Sequence, residues 1–245
     1  ILLSRGELVT ALQMLQQACR EKAVEFADVI KMGRTQLQDA VPMTLGQEFQ
    51  GWATTLGEDI DRIAGLAELL NEVNLGGTAI GTGINADPRY GKRAVSELAK
   101  ISGFPLIQAS DLVEASSDMG AFVLFSSMLK RLAVKLSKIA NDLRMLSMGP
   151  RCGLNEINLP PQQPGSSIMP GKVNPVIPEA VSQSAYQVIG YDTAITMAAE
   201  AGQLQLNAME PLIAVNILDA IDLLTNALDI FDRLCIQGIE ANEDR

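Results

Sequence analysis

The chain contains no histidine. That removes histidine-based triads and histidine metal sites from it. A general base here must be a carboxylate, lysine, tyrosine, cysteine, serine or bound water. Aromatic residues make up only 4% against 47% hydrophobic residues, so Leu, Ile, Val, Ala and Met must build the interior. Such a mixture favours helix over strand. Cysteine is scarce and odd in number: Cys19, Cys152 and Cys235 stand far apart in sequence, which suits reduced thiols better than a disulfide framework. The formal charge is −10, and Lys and Arg form no block longer than a pair such as Lys130-Arg131, so there is no basic track for nucleic acid. No apolar run approaches the roughly 18–20 residues of a membrane span, and the first residues do not read as a signal peptide. The expectation is a soluble, cytoplasmic protein with neither a nucleic-acid nor a membrane partner.

What the chain does have is helical periodicity, and at 245 residues it can bury roughly 70–75% of its unfolded surface. From Leu2 to about Lys31, Leu8, Leu12, Leu15, Ala18, Val24, Ala27 and Ile30 recur at three- and four-residue steps, predicting an amphipathic helix that ends near Gly33. Residues 33–42 are polar and closed by Pro42, and read as an extended connection. Thr44 with Gln47 makes a capping box, followed by a helix of about thirty residues running from Leu45 to Val73. Four glycines and a proline interrupt residues 76–90, and a shorter helix follows over about 91–101. From Asp111 to about Ser147 two rows keep a seven-residue repeat: Phe122, Leu129, Leu136, Leu143 and Phe125, Leu132, Ile139, Leu146. A sustained heptad means a long helix packed at a shallow angle against near-parallel neighbours. Helices over about 179–199 and from Pro211 to near Gly238 complete the pattern. No stretch shows period-two alternation over useful length. The fold class is all-α, a long-helix bundle.

The region between the long helices, Gly165-Ser166-Ser167-Ile168-Met169-Pro170-Gly171-Lys172-Val173-Asn174-Pro175, is the candidate site. An ordinary linker explains its glycines, serines and prolines, but not Lys172 and Asn174, nor a methionine in a solvated loop. Exposed N–H groups beside glycine, together with a lysine, suit a carboxylate. Two other glycine patterns mislead. Gly81-Thr82-Gly83-Ile84-Asn85-Ala86 matches a relaxed dinucleotide fingerprint, but that motif needs a βαβ unit, and a helix is expected before it. Gly165 to Lys172 resembles a P-loop until counted: five residues separate the glycines, and Val173 stands where Ser or Thr is required. For Thr35-Gln36 the plain reading is a turn, for Lys130 and Lys135 a solvated helix face, and for the methionines core filling. Glu200, Asn207 and Glu210 lie near a helix break, where capping is the simplest role.

The sequence GSSIMPGKVNP (165–175) resembles the signature loop of the aspartase/fumarase superfamily, whose members remove a small group across a C–C bond to leave fumarate. Gly33–Phe49 (GRTQLQDAVPMTLGQEF) and Gly76–Asn85 (GGTAIGTGIN) are similar to the family's other shared segments, in the right order. Fumarases usually carry histidine where this chain has Gln36. Residues 198–211 (AAEAGQLQLNAMEP) and 153–160 (GLNEINLP) likewise resemble the branch that acts on aspartate. The resemblance implies reversible deamination of L-aspartate to fumarate and ammonia through an aci-carboxylate, without organic cofactor or metal among the site residues. It implies Ser166 as base, Ser167 on the β-carboxylate, Lys172 and Asn174 on the substrate's carboxylate end, and Thr35 and Gln36 near its amino group. It further implies that residues 1–245 are the central helical domain, that the family's N-terminal and C-terminal domains are largely absent, and that a homotetramer with a helical core shares its active sites between subunits. The rival expectations are a fumarase, and a non-catalytic helical scaffold that kept the fold.

Overall fold

The computed structural model describes residues 1–165 and 168–244. Six α-helices carry the fold: α1 (Leu2–Glu25), α2 (Leu45–Leu66), α3 (Tyr90–Ser102), α4 (Gly120–Leu146), α5 (Val176–Glu200) and α6 (Glu210–Leu234). The five long ones close on themselves. α1 packs on α2, α2 on α4, α4 on α5, α5 on α6, and α6 returns to α1. Both heptad rows of α4 face this interior. Phe125, Leu129, Leu132, Leu136, Ile139, Leu143 and Leu146 are buried, and Phe122 packs against them from the edge. Close approach of α1 and α2 depends on Gly46, where an added Cβ would lie 2.4 Å from the Ala23 carbonyl oxygen.

The bundle is as the periodicity implies; its element ends are not. α1 stops at Glu25 rather than near Gly33, because the chain turns at Phe26, which is buried, and exposes Val24 and Ile30. The segment read as an extended connection is a β-hairpin, β1 (Ile30–Thr35) against β2 (Gln38–Thr44). It escaped a search for alternation because both faces of its outer half are exposed, leaving no buried face to impose the period. A bulge at Gly33 fits only glycine without adjustment, since a Cβ would lie 2.9 Å from the Val41 carbonyl oxygen. Thr44 then caps α2 in the expected box with Gln47. α2 ends at Leu66 and tightens into a 3-10 turn, Ala67–Leu70, so the helix stops short of Val73, which the chain carries into a short strand instead. α4 begins at Gly120 rather than Asp111, after a short 3-10 turn at Glu114–Ser116.

Two-residue strands β3 (Glu72–Val73) and β4 (Ile107–Gln108) pair in parallel across α3, a crossover in miniature that the sequence did not announce. Its glycines still do not form a nucleotide cradle. Gly81 (φ +90°) sits where a Cβ would meet the Leu112 and Val113 backbone at 2.3 Å, well before α3 begins at Tyr90. The glycine there serves packing. At the other break Asn207 does the capping: its Nδ2 donates to the Ala198 and Ala199 carbonyls at 3.1 Å, and its Oδ1 accepts from the Met209 N–H at 2.8 Å. By length and composition alone, Glu210–Gly238 could cross a membrane, with mean hydropathy 1.4. Its row Ile217, Ile221, Leu224, Leu228 and Phe231 is instead buried inside the bundle.

Two other expectations are corrected. Lys135 is no solvated helix residue: its side chain is 18% exposed, donates to the Thr55 carbonyl at 2.8 Å and pairs with buried Asp59 at 3.1 Å. Lys130 does stay on a solvated face, its side chain 42% exposed, but its ammonium reaches Asp192 of α5 at 2.5 Å, where the Ser126 hydroxyl also donates to that carboxylate. An unpaired buried carboxylate is costly, so these lysines reach inward from the helix rim. The methionines, too, are mostly not core filling. Met119 is buried and Met128 packs against the core, but Met14, Met32, Met148, Met169, Met197 and Met209 are exposed.

All three thiols are free. Burial pushes Cys19 and Cys235 up to about 12, so both are inert as nucleophiles, while Cys152 is exposed. Burial also raises the pKa of Asp232 on α6, a shift only partly offset by the hydrogen bond that Gln237 donates at 3.1 Å. An acid that titrates higher folded than unfolded favours folding fully at low pH, and that contribution is lost as pH rises from the ordinary carboxylate range through the folded value. Asp232→Asn is therefore expected to raise Tm at pH 7, and to lose that advantage in scans run below the ordinary carboxylate range.

Candidate active site

The sequence-named residues fall on two separate elements. Thr35 closes the β1–β2 hairpin by pairing with Gln38, so Gln36 and Leu37 form a two-residue turn. Both have positive φ (53° and 63°), the backbone of a type I′ turn that Asn and Gly adopt far more cheaply than Gln or Leu. Strain of this kind is retained where a particular side chain at the tip matters. The tip stands clear of the bundle, with Thr35 and every residue to Pro42 exposed.

Lys172 and Asn174 lie on the stretch that leads into α5. Lys172 is exposed and its N–H donates to the Met169 carbonyl at 3.3 Å; Asn174 is half-buried, and its carbonyl accepts from the Val176 N–H at 2.9 Å. Gly165 lies against the Lys172 backbone so closely that a Cβ would come 2.8 Å from the Lys172 carbonyl oxygen, and Gly171 has φ +81°. The two ends of this turn thus meet at a position that demands glycine. Ser166 and Ser167 lie outside the described residues.

Among the described residues no hydrogen bond or ion pair joins Thr35 or Gln36 to Lys172 or Asn174. Neither described cavity holds any of them. The larger, of about 780 Å³, lies between the start of α1, Leu70, Phe104 and Phe122; the smaller, of about 590 Å³, lies beside Lys92 and Ser110. No group of three or more Cys, Asp or Glu able to hold a metal ion occurs among the described residues.

A charged cluster that sequence reading missed ties the hairpin to the segment that follows α4. Arg34, next to Thr35, forms an ion pair with Glu156, its Nη1 2.5 Å from Oε1, while Lys31 Nζ lies 3.1 Å from Glu156 Oε2 and 2.5 Å from Glu48 Oε2. Lys31, Glu156 and Arg34 are 8%, 13% and 21% exposed, so these are largely desolvated pairs rather than surface ones. Glu156 belongs to the segment that leads from α4 toward Gly165. The signal in sequence was only that Arg34 and Glu156 fall within two of the quoted family segments; nothing in their spacing pairs them.

With the elements in place, the class is clear: a model of the lyase family matches residues 2–190, and the chain belongs to that family, within the aspartase/fumarase superfamily. It is 70% identical, over its whole length and 52% of the relative's, to an aspartate ammonia-lyase of Pseudomonas aeruginosa. It is 59% identical over 97% of the chain, and 50% of the relative, to the aspartate ammonia-lyase of Escherichia coli K12. Among solved structures, a fumarate lyase:delta crystallin from Brucella melitensis bound to cobalt superposes with TM-score 0.97 at 62% identity, covering 99% of this chain and 53% of that one. A class II fumarase from Schistosoma mansoni superposes with TM-score 0.92 at 34% identity, covering 97% of this chain and 53% of that one. The chain spans about half the length of the curated relatives it matches.

Proposed function

We propose that the protein is an aspartate ammonia-lyase, catalysing reversible conversion of L-aspartate to fumarate and ammonia. The observation that carries this reading is the 70% identity to an aspartate ammonia-lyase across all of this chain, with Gln36 at the hairpin tip where fumarases usually carry histidine. The chemistry makes sense of the residues. Ser166 takes the proton from the carbon beside the β-carboxylate, leaving an aci-carboxylate with an extra negative charge. Ser167 and neighbouring N–H groups stabilise that charge, and Lys172 and Asn174 hold the substrate's carboxylate end. The electron pair then forms the C=C bond as the amine, protonated in the substrate, leaves as ammonia. Thr35 and Gln36 face that amino group. The reaction balances without an organic cofactor, and the enzyme works in the cytoplasm.

Thr35 and Gln36 stand on an exposed tip remote from Lys172 in contact terms, a separation that one chain leaves open and that a site shared between subunits closes. We accordingly propose a homotetramer whose active sites combine the hairpin of one subunit with the 165–175 loop of another. Exposed apolar side chains on the outer faces of the bundle, among them Val134, Tyr186, Met197 and Val215, support association. The test supplies the full-length protein with aspartate and, separately, malate, and follows fumarate absorbance. Fumarate is expected from aspartate; fumarate from malate alone would overturn the assignment.

A further inference from the structure

We propose that Glu156 is a positioning residue for this reaction: through Arg34 and Lys31 it fixes the direction in which the Thr35–Gln36 tip leaves its own bundle, and so where that tip meets the 165–175 loop of another subunit. The proposal rests on the reading of the site given above. It begins from how little else restrains the hairpin. Its base is fixed, since the Leu45 N–H donates to the Val29 carbonyl at 2.8 Å, the Gly46 N–H to the Phe26 carbonyl at 2.9 Å, and the Thr44 capping box starts α2. From Thr35 to Pro42, however, every residue is exposed, so no apolar packing fixes the direction of the tip. A two-stranded ribbon without a packed face is marginal by itself. Lys31 and Arg34 are its partly buried cations nearest the tip, and both reach the same carboxylate.

That carboxylate stands on firm backbone. The Glu156 N–H donates to the Leu146 carbonyl at the end of α4, and its own carbonyl accepts the Asn242 N–H, both at 2.9 Å. The next residue, Ile157, is fully buried and opens β5 (Ile157–Asn158), which pairs antiparallel with β6 (Glu240–Ala241). The Asn242 side chain donates to the Asn155 carbonyl at 3.0 Å, and farther along Gln162 donates to the Leu234 carbonyl at 2.9 Å. Glu156 therefore acts as a fixed post between α4 and the approach to Gly165. Arg34, one peptide from Thr35, is tied to that post.

The energetics favour a geometric role. Two cations and two carboxylates, Lys31, Arg34, Glu48 and Glu156, balance in charge, and desolvating such a group recovers little net stability compared with apolar packing. What it does supply is direction, because two cations from one strand converge on a single carboxylate held on another segment, which limits how far the strand can swing. The more exposed Asp39, 3.7 Å from Arg34 Nε and on the hairpin itself, cannot supply that reference.

The test uses Glu156→Gln, which keeps the shape and loses the charge, with Glu156→Asp and Arg34→Gln/Glu156→Gln beside it in the full-length protein. Two readouts are taken: KM and kcat for aspartate, and amide hydrogen exchange resolved along the chain. Glu156→Gln is expected to raise KM more than it lowers kcat, with kcat/KM falling by up to about 10²-fold, the scale of an ångström-sized misplacement. Exchange should quicken over residues 30–44 while α4, α5 and α6 keep wild-type protection. Glu156→Asp should recover part of the loss, and the double variant should be no worse than Glu156→Gln alone. A lower Tm with wild-type KM and unaltered hairpin exchange would reduce Glu156 to a structural residue and overturn the proposal. If wild-type protein makes no fumarate from aspartate, the functional reading falls by itself, and the exchange data still decide whether Glu156 holds the tip.

Discussion

Ser166→Ala is expected to lower kcat for fumarate formation by about 10²–10⁴-fold in the full-length protein, the usual worth of a positioned general base. A serine hydroxyl is a poor base in water. In the proposed mechanism its alkoxide is favoured by N–H donors and by the Lys172 ammonium, and an alanine supplies no acceptor for the proton. Helix content and association should not change. The buried contacts that hold the bundle run between the faces of α1, α2, α4, α5 and α6, and none of the described loop residues belongs to the core. The measurement is single-turnover and steady-state fumarate absorbance together with circular dichroism and sedimentation. Near-normal turnover by a folded, associated variant would remove Ser166 from the role of base and leave the lysine and the hairpin to be explained otherwise.

The largest stability effect is expected between α2 and α4. Asp59 has a fully buried side chain; its Oδ1 is met by Arg131 and by Lys135 at 3.1 Å, while its Oδ2 has no hydrogen-bond partner. Replacing both cations, Arg131→Met with Lys135→Met, leaves a carboxylate buried without compensation. The expected loss is about 3–5 kcal/mol in urea unfolding. Removing the acid instead should hurt less, because Arg131 and Lys135 are partly exposed and can turn outward to water. Adding Asp59→Asn to the double variant should therefore restore much of the stability. A loss under about 1 kcal/mol in the double variant, the size of an exposed pair, would show that water reaches Asp59 after all.

The same cluster shows where sequence reading stops. The apolar faces of α4 and α6 were visible as rows because burial against a neighbouring helix repeats with the helical period, and every residue of both α4 rows lies in or against the core. Thr44 and Gln47 were visible for a similar reason: a capping box is complete within four residues. Lys135 departs from its sequence reading because the period places it toward solvent, and only the position of Asp59 on another helix turns it inward; Lys130 stays on a solvated face while its ammonium reaches Asp192. The hairpin is hidden in the sequence because both faces of residues 35–42 are exposed, and the inward positions of β1 are Gly33 and the charged Lys31 and Arg34, which give no hydrophobic alternation.

For the site, the sequence alone determined the chemical inventory: no histidine, a loop with two serines, a lysine and an asparagine, and a Thr-Gln pair at a turn. These are local facts, and short-range geometry such as turns and caps follows from them. Tertiary structure decided everything that depends on partners distant in the chain. It raised Gln36 and Leu37 on a strained, solvent-facing tip, gave Thr35 and Gln36 no hydrogen bond or ion pair with Lys172 among the described residues, and joined Arg34 to Glu156. An ion pair across so long a loop has no period and no fixed spacing, because its geometry is set by how whole helices pack. That packing is the sum of many weak apolar contacts, none of which names the charged residues it will bring together.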